Sequence, residues 1–207
     1  MFKTISQNAE AEIVEKKSKF IASLFYVETV EEAEEKIKEV KKKYYDARHN
    51  CFAYSLYTPD GIVERFSDDG EPSGTAGAPM LNIFQGQNLR NVLVVVTRYF
   101  GGILLGTGGL LRAYTGATQE AIKNTEIIEK DIGLEVKFEV SYANLEKLKY
   151  YLKQKEIPIL DSEYLENIKV LVELQEEKLE EIEKNKNELN FTFISIEKVR
   201  KKYIILK

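Results

Sequence analysis

Residues 91–109 read NVLVVVTRYFGGILLGTGG, and this stretch decides the first half of the fold. The apolar run Val92 to Val96 lacks polar alternation, which predicts a strand buried on both faces. Glycines then interrupt the chain from Gly101 to Gly109. A helix is expected from about Gly109 to Asn124, with Leu110, Ala113, Tyr114, Ala117 and Ala121 on its apolar face. A glycine-rich passage from strand to helix exposes backbone N–H groups beside the positive end of the helix, so it can receive an anion. Arg98 precedes the passage and Arg112 follows it. The candidate anion-binding residues are therefore Arg98, Gly101, Gly102, Gly106, Thr107, Gly108, Gly109 and Arg112. Two nucleotide motifs are excluded. Thr107 stands where a P-loop needs lysine, and Leu111 stands where a dinucleotide fingerprint needs its third glycine. Close backbone packing is the competing explanation for the same glycines.

Working outward, the composition is uneven along the chain. Of the 12 glycines, all but Gly133 lie between Gly61 and Gly116. From Tyr44 to Ile122 there is no lysine, yet Arg48, Arg65, Arg90, Arg98 and Arg112 fall there. Lysine suits a solvated surface, whereas the planar arginine fork suits partly buried pairing or anion recognition. The net charge of −4 argues against a surface that grips nucleic acid throughout, though a local basic patch is compatible with it. The single cysteine, Cys51, excludes an internal disulfide and favours a cytoplasmic setting. With His49 the only histidine, nitrogen and sulfur ligands are too few for an ordinary zinc site. No apolar run approaches the ~18 residues of a membrane span, and the polar start MFKTISQNAE lacks a signal-peptide core.

Elements on either side follow from periodicity. Residues 10–28 read as strand with a break near Lys17. Thr29 and Glu32 form a capping box that opens a helix whose face carries Val30, Ala33, Ile37, Val40 and Tyr44. Asn50–Tyr57 and Ile62–Ser67 read as a hairpin about the turn Pro59-Asp60-Gly61, and Pro79–Gln85 as a short helix begun by proline. A domain boundary is placed at Gly133, giving domains 1–133 and 134–207. The second domain runs strand Leu134–Tyr142, helix Ala143–Lys155, strands Ile157–Leu165 and Ile168–Leu174, helix Glu176–Asn187 and strand Asn190–Lys198. That β-α-β-β-α-β order is the ferredoxin-like pattern. The fold class is α+β in two domains.

Two further segments carry chemistry. Asp68, Asp69 and Glu71 place three carboxylates within four residues, which is a donor set for magnesium or a hydrogen-bond network within a polar turn. In His49-Asn50-Cys51 an extended backbone separates positions 49 and 51 by ~6.5 Å, too far for a thiol–imidazole dyad. Cys51 is then a small core residue, and His49 is left to contact a ligand or a carboxylate.

Asp68-Asp69-Gly70-Glu71-Pro72 with Gly74-Thr75-Ala76-Gly77 and Pro79, followed by Arg98-Tyr99-Phe100-Gly101-Gly102 and Leu105-Gly106-Thr107-Gly108-Gly109-Leu110, resembles the IMPACT family over roughly residues 15–125. The half beyond Gly133 is similar to the extra C-terminal domain of its bacterial, YigZ-like branch. The resemblance implies a first domain with the left-handed βαβ fold of a ribosomal protein and of elongation factor G domain IV, and a ferredoxin-like second domain. It also implies a link to translation, since eukaryotic relatives modulate translational stress signalling through protein contacts. The expectation is a non-enzymatic binding protein with an RNA, ribosome or translation-factor partner and no cofactor. It would use Arg98, Arg112, His49 and the glycine segment, with Tyr99 and Phe100 stacking on bases, and the basic runs Lys41–Lys43 and Arg200–Lys202 adding attraction. The alternative is a magnesium-dependent enzyme or a sensor of a small anion, with Asp68, Asp69 and Glu71 holding the metal. Oligomeric state is open.

Overall fold

The computed structural model describes residues 1–58 and 61–205. The chain divides into two compact units, Phe2–Glu129 and Lys130–Lys207 together with Met1. The division falls upstream of Gly133 because the last strand keeps pairing with its neighbour as far as Lys130.

The first unit contains β1 (Phe2–Ile5), β2 (Ala9–Glu15), β3 (Ser18–Tyr26), α1 (Val30–Lys43), β4 (His49–Thr58), β5 (Gly61–Ser67), α2 (Gly77–Gly86), β6 (Val92–Tyr99) and α3 (Gly106–Lys123). Its main sheet has the order β2-β3-β6-β4-β5, every neighbour antiparallel. Strand β6 lies at the centre, which is why its run is apolar without alternation. Val92, Val94 and Val96 pack with Met80 and Phe84 of α2 and with Leu110, Ala113 and Tyr114 of α3. Leu93 and Val95 face the other way, against Ala33, Ile37 and Val40 of α1. Because β3 and β4 are both antiparallel to β6, α1 is a crossover between two parallel strands with β6 inserted between them.

Local signals act as chemistry requires. Thr29 caps α1 by accepting the Glu32 N–H at 3.1 Å, while the Glu32 carboxylate reaches the Glu28 N–H at 2.8 Å, one residue before the cap. Helix α2 begins at Gly77, so Pro79 sits inside its first turn rather than at its start. Helix α3 begins at Gly106, earlier than the apolar pattern indicated, and absorbs Thr107, Gly108 and Gly109 into its first turn. Strands β4 and β5 pair as a hairpin with Thr58 opposite Gly61. The expected turn residues Pro59 and Asp60 lie outside the described residues.

The break near Lys17 is a two-residue turn in which Lys16 and Lys17 have φ of 44° and 66°, with Glu15 paired to Ser18. A two-residue hairpin loop needs this left-handed backbone to match strand twist. Gly101 lies against it: a methyl group on Gly101 would run into the Lys17 carbonyl, and the Gly101 N–H donates to Ser18 Oγ at 3.1 Å.

The second unit contains β7 (Ile127–Val140, which starts in the first unit), α4 (Leu145–Gln154), β8 (Ile159–Tyr164), β9 (Ile168–Leu174), α5 (Glu176–Asn185) and β10 (Ser195–Ile205). The antiparallel order is β10-β7-β9-β8. Leu134, Val136, Phe138 and Val140 alternate toward Leu148 and Leu152 of α4 and Leu179 and Ile182 of α5, whereas Glu135, Lys137 and Glu139 lie on the opposite face of the same strand. The final strand is displaced from the expected Asn190–Lys198. Phe191 and Phe193 look like strand residues, but they belong to an aromatic cluster with Tyr151 and Phe138 in the segment before β10. Among the described residues no helix is long and apolar enough to cross a membrane.

The strained lysine turn gives a clear outcome. Replacing Lys16→Asn with Lys17→Gly should stabilise the chain by about 1–2 kcal/mol, since each non-glycine left-handed residue costs that order. Gly101→Ala should destabilise it by about 2–3 kcal/mol through overpacking. Urea denaturation midpoints measure both.

Candidate functional site

The polar turn between β5 and α2 is held by its own carboxylates. Asp68 Oδ1 accepts the N–H groups of Ala76 and Gly77 at 3.0 and 2.8 Å, and Oδ2 accepts that of Gly74 at 2.8 Å. Ala76, at the N-cap of α2, has no side-chain acceptor to offer, so Asp68 supplies the missing acceptor from outside the helix. Asp69 accepts Lys41 Nζ at 2.8 Å and the Asn50 N–H at 2.7 Å. Its carbonyl accepts His49 Nδ1–H at 2.9 Å. Glu71 Oε1 accepts Arg98 Nη1 at 2.7 Å and the Tyr114 hydroxyl at 2.9 Å.

In this geometry the three carboxylates form a hydrogen-bond network. The three carboxylates turn to different partners, and N–H or O–H donors occupy each. No group of three acidic, histidine or cysteine side chains among the described residues is placed to hold a metal ion.

The Glu71–Arg98 pair is the electrostatic centre. Its side chains are 3% and 8% exposed. The Arg98 guanidinium stands 5.5 Å from the ring centroids of both Phe20 and Phe100, a geometry that a planar cation tolerates. Phe20 meets Tyr114 edge-on at 5.2 Å. Burial raises the Tyr114 phenol well above its ordinary range, and the neighbouring Cys51 and Glu71 add to that. Burial also pushes the Cys51 thiol up to about 12, and its S–H donates to the Asp68 carbonyl at 2.9 Å. Cys51 is a core residue without nucleophilic character. Within this cluster, Arg98 Nε is buried without a hydrogen-bond partner among the described residues.

Beside the pair opens a cleft of about 610 Å³ lined by Asp46, Arg48, His49, Arg98, Tyr99, Phe100 and Leu104. His49 and Arg98 are direct cross-strand partners on β4 and β6, so they stand side by side at its wall. The bond from Nδ1 to the Asp69 carbonyl sets the His49 tautomer and leaves Nε2 as the free ring nitrogen. Tyr99 donates to Asp46 at 2.6 Å, and chiefly that bond raises the Tyr99 phenol to about 12. Phe100 is 54% exposed and Leu104 84%, with Ile103 and Leu111 also exposed.

The structure therefore divides the sequence candidates. His49 and Arg98 reach the cleft, whereas Asp68 and Glu71 work inside the fold. Gly101 is occupied by close packing on Lys17, and Gly102 (φ 82°) is exposed in the loop. Gly106, Thr107 and Gly108 are exposed at the start of α3, where the N-cap Leu105 gives no capping side chain, while Gly109 is buried against Leu105. Arg112 reaches back over Gly108. Of the central arginines, Arg65, Arg90 and Arg98 pair with Glu34, Glu64 and Glu71. Arg48 and Arg112 are exposed and have no ion pair among the described residues. Sequence reasoning passed over Asp46, Arg48 and Leu104 as cleft residues. The usable signal was the position of Arg48, next to the only histidine in a lysine-free region.

Residues 16–122 match the family model described as the Impact N-terminal domain, and residues 138–185 match a domain of unknown function, DUF1949. The chain is 40% identical over 165 residues to the IMPACT family member YvyE of Bacillus subtilis (strain 168), which covers 80% of this chain and 76% of that protein. It is 40% identical over 150 residues to the IMPACT family member YigZ of Escherichia coli (strain K12), covering 72% and 74% respectively. A crystal structure described as that of a hypothetical protein is similar over 96% of this chain and 97% of that one, with a TM-score of 0.64 and 32% identity.

Removing one member of the buried pair should be costly. Glu71→Ala is expected to lose about 3–5 kcal/mol of stability by stranding the Arg98 charge, and Tyr114→Phe about 1.5–3 kcal/mol. Urea denaturation with a double-mutant cycle measures the coupling. Cys51 should resist alkylation in the native protein and react only when the chain is unfolded, which intact-mass measurement follows.

Proposed function

This chain belongs to the IMPACT family, and from that premise we propose that it is a non-catalytic binding or regulatory protein of translation, active in the cytoplasm. It holds an RNA, ribosome or translation-factor partner on the cleft side of its first unit. The observation that carries this reading is the exposure of Leu104 and Phe100 in the cleft they share with Arg48, an exposed arginine with no ion pair among the described residues. A recognition surface commonly sets arginine among apolar and aromatic anchors. Phe100, Ile103 and Leu104, exposed close together in the chain, offer an apolar surface that a partner would cover. The amides of Gly106, Thr107 and Gly108 at the start of α3, with Arg112 over them, add a place for a phosphate or carboxylate. The groups that hydrolytic or nucleophilic chemistry would need are engaged elsewhere: Cys51 is buried with a raised thiol, and Asp68 and Glu71 sit within internal bonds. The link to translation follows the family resemblance.

Co-sedimentation with ribosomes tests the reading. Arg112→Glu and Leu104→Asp are the informative variants because both residues are exposed, whereas Arg98→Ala would break the buried pair. Wild-type association should fall at least tenfold between about 50 and 200 mM salt, and each variant should weaken it at low salt. Absence of association at low salt, or binding indifferent to both variants, would count against the proposal.

A further inference from the structure

We infer that the cleft between β4, β6 and the loop before α3 binds a 5′-nucleoside monophosphate group. Its source is a free mononucleotide or the phosphorylated 5′ end of an RNA. This goes beyond the translation reading and does not depend on it.

The cleft separates into three chemistries. One wall is cationic. Arg48 is exposed with no ion pair among the described residues, and His49 lines the cleft with only Nε2 uncommitted. Arg98 is buried beside it with Nε unpartnered. An unsatisfied buried donor is costly, and the Phe100 ring lies over the same guanidinium, 5.5 Å from it. Two guanidinium groups and an imidazole among the lining residues match the tetrahedral oxygens of a phosphate better than a single-point charge does.

A second wall is apolar and open. The exposed Phe100 ring and Leu104 offer a face on which a nucleobase can stack. Asp46 is the one carboxylate among the lining residues, and it accepts the Tyr99 hydroxyl. Ribose hydroxyls are suitable donors to such a group, while a second phosphate beside it is repelled. The cleft thus selects a monophosphate over a diphosphate. Its volume of about 610 Å³ lies within the range of small-molecule sites.

The test uses the purified full-length chain and isothermal titration with AMP, GMP and UMP, set against adenosine, inorganic phosphate and ADP. A parallel arm compares 5′-phosphorylated and 5′-hydroxyl oligoribonucleotides. At least one monophosphate or phosphorylated oligonucleotide should bind saturably, and adenosine, phosphate and ADP should each bind at least tenfold more weakly, the scale of one charged or stacked contact. Arg48→Ala should weaken binding about tenfold and Phe100→Ala about fivefold or more. Both side chains are exposed, and Lys153→Ala in the second unit should leave binding unchanged. Preference for the free mononucleotide identifies a small-molecule site, and preference for the phosphorylated oligonucleotide identifies an RNA end. The inference is overturned by no saturable binding in either arm, by inorganic phosphate binding as well as AMP, or by indifference to Arg48→Ala. A negative ribosome sedimentation together with positive titration would reject the partner reading alone, and the reverse would reject only this one.

Discussion

The buried Glu71–Arg98 ion pair is the interaction on which the first unit depends. It joins three separate pieces of chain: the turn between β5 and α2, the end of the central strand and, through the Tyr114 hydroxyl, helix α3. Two opposite charges withdrawn from water are tolerable only when each is also hydrogen-bonded. The fold meets that condition for Glu71 with Arg98 and Tyr114, and less completely for Arg98, whose Nε has no partner. The pair therefore constrains geometry more than it adds net stability. The turn that contains Glu71 must sit where Arg98 can reach it, which in turn places Asp68 at the head of α2 and Asp69 beside His49.

That constraint separates structural chemistry from surface chemistry. The acids that the sequence offers as metal donors, Asp68, Asp69 and Glu71, are engaged within the fold. Their polar atoms are bound by backbone amides, a lysine, an arginine and a tyrosine. The outward side keeps Arg48, His49, Phe100 and Leu104, where a ligand has access without breaking the network. Arg98 belongs to both sides, as the inner wall of the cleft and the partner of Glu71. Truncating it would confuse loss of fold with loss of binding.

Much of the fold was legible in the sequence because the signals were local. The apolar run of β6 announced a central strand, the 3.6-residue pattern and capping box announced α1, and the strand–helix order of the second unit announced its topology. The errors have local causes as well. Glycine is a poor helix former, so the apolar pattern points to a start near Gly109, although Gly106, Thr107 and Gly108 belong to the first turn. Phe191 and Phe193 alternate as a strand would, yet they fill an aromatic cluster, and β10 begins only at Ser195.

The candidate site was legible only in its members. By itself the sequence determined the central strand, the two-part α+β organisation and a central region where arginine replaces lysine throughout. Composition and periodicity carry those facts because they reflect burial and solvation residue by residue. Only the tertiary structure decided that Glu71 meets Arg98 and Tyr114, that Gly101 serves the Lys17 turn, and that Arg48 and His49 share a cleft with Phe100 and Leu104. Each of these depends on contacts between residues distant in the chain. Such contacts are set by strand register and helix docking, which no local pattern encodes.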